Sequence, residues 1–410
     1  MKAYATKLQG AIGLKERNTR KSGKILASLL KLDVSSSFTP SIGQVENAIA
    51  DSNFSQIVSL HFEAQRQASH KNFEKSYESQ KEMVKTFMTT MYGEDSTYWL
   101  VPTLHTVIGD ALILARRTDD RCAEINGFRE HKFVEDCISS LVREAFTATL
   151  VVKSEKKAKK MGALFLAVCM IRSYFGMNTL RQATLIVNNV SKMILTGKTT
   201  LANFPKSHSV PYQYYAGRLQ IVAGRYDEAE DTLMFALRNC PVDILTNRRQ
   251  ILRVLIPCKM VRGVLPTLTL LHEHNLKQFE DISRAVRTGD VRLYNKSINA
   301  YRAKFVSMGT YFLMERLRYL VYRMMFKRVY LIRMSELPAD SKKRNRMRIQ
   351  DLVSVLETCG GETKTCDEVE CILANLIFRK QMKGYISHAH SLVVMSKENP
   401  FPSSLDWSYS

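Results

Sequence analysis

The stretch "TCDEVECILANLIFRKQMKGYISHAHSLVVM", residues 365–395, changes its pattern of apolar residues halfway along. Thr365 and Glu368 stand at the positions of a capping box, which begins a helix. The apolar residues that follow have the spacing of a helix core, at Val369, Ile372, Leu373, Leu376 and Ile377. Residues 385–388 and 392–395 then alternate with a polar turn between them, which predicts a β-hairpin.

A second helix and a connector precede this stretch. The segment "IQDLVSVLETCGG", 349–361, places its apolar residues on one face and stops at two glycines. Before it, "SELPADSKKRNRMR", 335–348, is polar and basic and is interpreted as a connector. Helix, turn, capped helix and hairpin are the order of a winged helix. We place that domain at 336–402, with a tail at 403–410.

The middle of the chain predicts paired helices. The segment "YQYYAGRLQIVAGRYDEAEDTLMFALRNCP", 212–241, follows the 34-residue tetratricopeptide (TPR) pattern. Gly217 stands where two helices approach closely, and Gly224 marks the turn between them. A second turn is expected at Gly289, and residues 311–334 are expected to form one long helix.

These patterns predict a mainly α fold class, a TPR-like solenoid of helical hairpins followed by a C-terminal winged-helix domain with a small β-hairpin wing. N-terminal helical repeats are placed at 45–205 and TPR-like helices at 206–335. Residues 1–44 are a basic segment whose composition allows it to be flexible.

The net charge of +21 is concentrated in two regions. Residues 1–31 contain eight Lys or Arg against one Glu, and residues 301–350 contain thirteen against three Asp or Glu. Concentrated positive charge predicts an anionic partner, which is nucleic acid, an acidic protein, or both. The alternative is a solvated face together with a flexible tail.

The cellular compartment is suggested by the start of the chain and by its cysteines. The basic "KERNTRKSGK" is typical of a nuclear-targeting or nucleic-acid-binding tail, and a mitochondrial transit peptide is the alternative. Eight cysteines in mostly apolar helical patterns indicate reduced thiols inside a cell. No apolar run is long enough to span a membrane, so no membrane insertion is expected.

No motif of an enzyme is found. In "KMILTGKTT", 192–200, the loop glycine that phosphate binding requires is replaced by Lys192. Cys359, Cys366 and Cys371 are too widely spaced for a zinc site, even with the nearby histidines 388 and 390. We therefore expect no catalytic residues, no metal and no cofactor.

The basic residues of the winged helix are candidates for binding nucleic acid. A winged helix that reads duplex DNA inserts the N-terminal end of its second helix into the major groove, and here that end carries Asp367, Glu368 and Glu370. Three carboxylates would repel the phosphates and disfavour that mode of binding. The basic residues instead form a rim that would contact the nucleic-acid backbone without discriminating bases. The residues of this rim are Lys342, Lys343, Arg344, Arg346, Arg348, Arg379, Lys380, Lys383 and Lys397. For Arg379 and Lys380, compensation of the helix dipole is an equal alternative.

Another basic group lies on the predicted long helix. Arg316, Arg323 and Lys327 fall on one stripe of it. We expect the stripe to bind a disordered acidic protein, which would gain charge-assisted hydrogen bonds as it orders. The alternative is pairing with carboxylates of the solenoid.

A helical solenoid that runs into a C-terminal winged helix resembles the PCI domains of proteasome-lid, signalosome and translation-initiation subunits. The ending "CILANLIFRKQMKGYISHAHSLVVMSKENPFP" resembles the mRNA-export branch of that superfamily, which includes PCI-domain-containing protein two and the yeast Thp-type subunit. Upstream, "YQYYAGRL", "RRQILRVLIPCKMVRGVLPT", "AVRTGDVRL" and "FLMERLRYLVYRMMFKRVYL" match the same branch in order. The resemblance covers about 150–402.

The resemblance implies a non-catalytic subunit of the transcription-coupled mRNA export complex at the nuclear pore, located in the nucleus with the cytoplasm as a second compartment. Its implied partners are a larger PCI scaffold subunit of GANP/Sac type, a small acidic disordered protein shared with the proteasome lid, and RNA or DNA. The alternative that it leaves open is a structural PCI subunit of a signalosome- or lid-type assembly with no nucleic-acid role.

Overall fold

A computed structural model of the chain describes residues 2–13, 19–33, 40–49, 51–93, 97–151, 162–196, 200–338 and 344–403. The chain divides into two compact units, Met1–Tyr215 and Ala216–Ser410. The finer boundaries expected at 44, 205, 335 and 402 stay predictions. None of the described helices is long and apolar enough to cross a membrane.

The first unit is built from α-helices whose apolar faces pack on their neighbours in sequence. Its helices are α1 Lys2–Gly13, α2 Thr19–Leu29, α3 Ile42–Glu46, α4 Ser52–Ser69, α5 Phe73–Gly93, α6 Val101–Asn126, α7 Lys132–Cys137, α8 Arg143–Val151, α9 Ala163–Gly176 and α10 Leu180–Thr196. Fully buried residues such as Leu8, Ile57 and Phe87 fill the space between them. The side chain of Asp51 caps α4 by accepting from the backbone of Asn53 and Phe54.

The helix α11, Lys206–Val222, crosses the boundary between the units. The helices of the second unit that follow it are α12 Tyr226–Asn239, α13 Leu245–Val261, α14 Leu268–Glu273, α15 Glu280–Thr288, α16 Val291–Met308 and α17 Tyr311–Glu336. A Cβ atom at Gly217 would lie 2.6 Å from Cγ of Leu233, so the predicted close approach of α11 and α12 is confirmed. The expected long helix is confirmed as α17.

The C-terminal part of the second unit is a small winged helix. Its elements are β1 Arg346–Arg348, α18 Ile349–Val355, a π-helical turn Leu356–Gly360, α19 Cys366–Phe378, β2 Gly384–Ser387 and β3 Leu392–Met395. The three strands form an antiparallel sheet in the order β1-β3-β2. Both hydrogen bonds of the capping box are present, since Glu368 N donates to Thr365 Oγ1 and Thr365 N donates to Glu368 Oε2. The prediction of a mainly α chain ending in a winged helix is confirmed.

Two details differ from the expectation. Residues 346–348, predicted to be part of a connector, form the strand β1, which pairs with β3 and buries Met347. A strand with one apolar residue has no detectable period, so only the pairing with a distant strand reveals it. His388, expected in the first strand of the wing, lies in a 3₁₀ turn that spans His388–His390.

Candidate nucleic-acid interface

Among the contacts between the long helix α17 and the winged helix is a buried arginine. Arg323 is only 7% exposed. Its Nε donates to the carbonyl oxygen of Gln381 at 2.8 Å, and its Nη2 donates to that of Pro402 at 2.7 Å. Burial lowers the pKa of Arg323 to about 10, so the guanidinium is still charged at neutral pH.

This position corrects the expectation that Arg323 docks an acidic partner as part of one stripe with Arg316 and Lys327. Its guanidinium is turned inward and occupied by backbone carbonyls, so it cannot dock a partner. The alternative expectation was that the stripe pairs with carboxylates of the solenoid. For Arg323 the pairing is internal, but the acceptors are backbone carbonyl oxygens. Arg316 and Lys327 are half-buried and not enclosed, so the docking prediction is untested for them.

The structure places the basic residues near β1 in different environments. Arg346 is exposed on the edge strand. Arg348 is exposed too, but it pairs with Asp351 at 2.9 Å. Arg344 is half-buried and donates to the carbonyl oxygen of Met334 at 2.9 Å. Lys342 and Lys343 lie outside the described residues.

A second group of basic residues surrounds the end of α19. Lys380 is exposed with a positive φ of 56°. Lys383 and Lys397 are both exposed, and the carbonyl oxygen of Lys383 accepts from the backbone N–H of Ser396, the residue before Lys397, at 2.9 Å. The guanidinium carbon of Arg379 lies 4.8 Å from the ring centroid of Tyr319. Arg379 thus packs on α17, and its roles in nucleic-acid binding and in compensation of the helix dipole both stay predictions.

The opposite end of α19 is acidic, as predicted. Asp367 and Glu368 are exposed there, and a backbone hydrogen bond from Thr365 lowers the pKa of Glu368. The third carboxylate, that of Glu370, forms a hydrogen bond with Nδ1 of His388 at 2.8 Å. This hydrogen bond raises the pKa of His388. The end of the helix that would enter a major groove thus carries negative charge, and the positive charge lies at the far end.

The structure also brings together two basic residues that the sequence assigned to different sites. Arg316 of α17 and Arg379 at the end of α19 come to the same face of α17, because Arg379 packs over Tyr319, three residues after Arg316. Burial and the charge of Arg316 both lower the pKa of Arg379. The guanidinium of Arg316 lies 5.2 Å from the ring centroids of Tyr226 and Phe312. Sequence reasoning missed these aromatic residues. The available signal was Phe312 one helical turn before Arg316.

The described part of the chain contains no group of three or more His, Cys, Asp or Glu side chains that could hold a metal ion. Cys366 instead contacts Oε1 of Gln350 at 3.2 Å, and Nδ1 of His390 lies 3.1 Å from the hydroxyl of Ser387. The "GKT" sequence at 197–199 lies outside the described residues.

Two family models match the chain. Residues 127–279 match the PSMD3-like N-terminal TPR repeats, and residues 298–397 match the PCI domain. Neither of the two is the model of an enzyme family. The match at 298–397 contains α17 and nearly all of the winged helix.

Curated relatives extend the similarity over most of the chain. It is 31% identical over 355 residues to PCI domain-containing protein 2 of Danio rerio, covering 85% of this chain and 84% of that protein. It is 32% identical over 308 residues to the PCI domain-containing protein 2 homolog of Drosophila melanogaster, covering 74% and 73%. The Protein CSN12 homolog of Neurospora crassa is 25% identical over 363 residues, with 83% and 80% covered.

Proposed function

Since the chain belongs to the family of PCI domain-containing protein 2, we propose that it is a non-catalytic scaffold subunit of the transcription-coupled mRNA export complex. In that complex it contributes a basic surface that binds nucleic acid largely without regard to sequence. Its PCI domain and helical repeats support the assignment to a multi-subunit assembly.

The single observation that carries the nucleic-acid part of this proposal is the distribution of charge along the winged helix. Exposed Arg346, Lys380, Lys383 and Lys397 carry cations that can contact phosphates. The acidic start of α19 repels phosphates from the helix end that reads base edges in other winged helices. Binding through the backbone alone is therefore the mode that this surface favours.

Salt-titrated binding tests the proposal. Full-length chain, purified with whatever partners accompany it, is titrated with labelled RNA and DNA of mixed sequence. Neutralising Arg346, Lys383 and Lys397 together by Gln is expected to lower the slope of log K against log salt by about 2 on single strands, at about 0.7 per phosphate contact. Exchanging exposed Arg238, Lys277 and Arg287 for Gln removes the same charge elsewhere and serves as the matched control. Equal slopes for both variants would refute a nucleic-acid role for the winged-helix rim.

We propose the partners that the family resemblance implies. These are a larger PCI scaffold subunit of GANP/Sac type and a small acidic protein, with Arg316 and Lys327 as docking residues for the latter. The compartment is the nucleus, including the nuclear pore, with the cytoplasm as a second location. Charge reversal at Lys327 alone tests the docking of the acidic protein, because Arg316 lies three residues before Tyr319, on which Arg379 packs. Undiminished copurification of the acidic protein would remove Lys327 as a docking residue.

A second candidate function is favoured by the similarity to the Protein CSN12 homolog of Neurospora crassa. In this alternative the chain is a structural PCI subunit of a signalosome- or lid-type assembly, and its basic face meets acidic proteins only. It predicts that RNA binding by the purified subunit does not depend on the winged-helix rim.

A further inference from the structure

Two arginines of the second unit meet on the same face of α17, because the guanidinium of Arg379 packs over Tyr319, three residues after Arg316. Burial and the positive charge of Arg316 both lower the pKa of Arg379. Within the described ranges, neither Arg316 nor Arg379 forms an ion pair, although Arg318 nearby pairs with Glu315 at 3.6 Å. Two like charges held close repel each other, and an anion that bridges them would remove that cost.

Aromatic rings position both guanidinium groups. The guanidinium carbon of Arg316 lies 5.2 Å from the ring centroids of both Tyr226 and Phe312, and that of Arg379 lies 4.8 Å from the ring centroid of Tyr319. Cation–π contacts stabilise each charge separately but leave the repulsion between the two unchanged. They also restrict the two side chains, so less entropy is lost when both bind one anion.

The cluster is flanked by two aromatic side chains that are open to solvent. Phe312 is 59% exposed and Phe378, next to Arg379, is 71% exposed. Exposed rings beside a pair of arginines match the chemistry of a single strand, whose phosphates bind guanidinium groups and whose unpaired bases stack on aromatic faces. The bases of a duplex are already stacked and cannot stack on Phe312 or Phe378. An acidic peptide without aromatic groups has no group that would stack on these rings.

We infer that Arg316 and Arg379 form a phosphate-binding site for single-stranded nucleic acid and that Phe378 stacks on an adjacent base. This inference rests on the proposed nucleic-acid binding. It places the binding site for the single strand where α12, α17 and the end of α19 meet. An acidic protein docked on Arg316 would use the same guanidinium, so the two proposed ligands of Arg316 compete.

Fluorescence anisotropy with a labelled oligo(U) of about 16 nucleotides tests the inference in the full-length protein. The double variant R316Q/R379Q is expected to lower the slope of log K against log salt by about 1.4, for two phosphate contacts. The matched control R238Q/R287Q removes the same charge from exposed positions of α12 and α15 and is expected to leave the slope unchanged. Because Arg316 and Arg379 are half-buried, F378A is a second variant at an exposed position, expected to weaken binding of oligo(U) about tenfold.

Polyglutamate serves as the competing acidic polymer, and its binding is expected to be unaffected by F378A. If both polymers lose affinity equally in R316Q/R379Q and F378A changes neither, the site takes acidic protein and the inference is wrong. It is also wrong if oligo(U) binds R316Q/R379Q and R238Q/R287Q alike, an outcome that leaves the proposed function standing. If the unaltered protein does not bind oligo(U), both are refuted.

Discussion

Nη2 of Arg323 donates a hydrogen bond to the carbonyl oxygen of Pro402, 79 residues later in the chain, at 2.7 Å. The guanidinium also lies 5.7 Å from the ring centroid of Phe401. The middle of α17 therefore anchors the segment that follows the wing. This internal bond, and not a surface role, accounts for an arginine inside an otherwise apolar helix face.

Replacing Arg323 by Met is expected to destabilise the protein. The change leaves the carbonyl oxygens of Gln381 and Pro402 without their charged donor, which costs about 3 kcal/mol. Denaturant unfolding measures the loss. Lys327→Met, one turn further along the same helix at a half-buried position, is the control and should cost less than about 1 kcal/mol. Equal losses in the two variants would contradict an anchoring role for Arg323.

Gly289→Ala is expected to destabilise the second unit by about 3 kcal/mol. Gly289 has a φ of +74°, and an added Cβ would lie 2.5 Å from the backbone nitrogen of Met325. Gly309 offers a comparison, because its φ of +69° is similar while the nearest atom to a Cβ belongs to a movable arginine side chain, Arg218, at 3.1 Å. Gly309→Ala should therefore cost only about 1 kcal/mol. Equal costs for both would show that α15 and α17 do not approach as described.

Thr365→Ala is expected to cost about 1 kcal/mol of unfolding free energy. The hydroxyl of Thr365 accepts the backbone N–H of Glu368 at 3.2 Å and satisfies one of the first donors of α19. Ser354 lies in the preceding helix, where its exposed hydroxyl donates to the carbonyl oxygen of Gln350 one turn earlier. Ser354→Ala should therefore leave the free energy of unfolding nearly unchanged. A neutral Thr365→Ala would mean that the capping box does not stabilise the winged helix.

Stability is expected to fall as the pH is lowered below 6.5, through His61 of the first unit. Burial lowers the pKa of His61 from 6.5 to about 4. The unfolded chain then binds the proton more readily, so the stabilising contribution of the neutral ring is complete above pH 6.5 and is lost toward pH 4. About 2 kcal/mol of it should be lost by about pH 5.

The check is the unfolding free energy at about pH 7 and about pH 5. The difference between the two should shrink in His61→Leu and should not change in His70→Leu, which alters an exposed histidine. An unchanged difference in His61→Leu would show that His61 titrates as in solvent.

Features that depend on neighbouring residues could be predicted from the sequence. The capping box at Thr365, the hairpin of the wing and the close approach at Gly217 each leave a local pattern. The strand β1 and the burial of Arg323 leave none, because each depends on a partner tens of residues away. The basic residues of the candidate interface were found by their charge, but their division into exposed and internally paired groups required the structure.

The neighbouring positions of Arg316 and Arg379 illustrate the same limit. Helical spacing placed Arg316 on a stripe of α17, and the end of a different helix placed Arg379 in the winged-helix rim. The two arginines form one cluster only because α19 packs on α17.

Identification of the molecules that copurify with the tagged full-length chain, under moderate salt and after crosslinking of RNA, tests the proposed export function most directly. The expected result is a larger PCI scaffold subunit together with a small acidic protein and bound RNA. Recovery of a signalosome- or lid-type assembly without RNA and without an export subunit would contradict it.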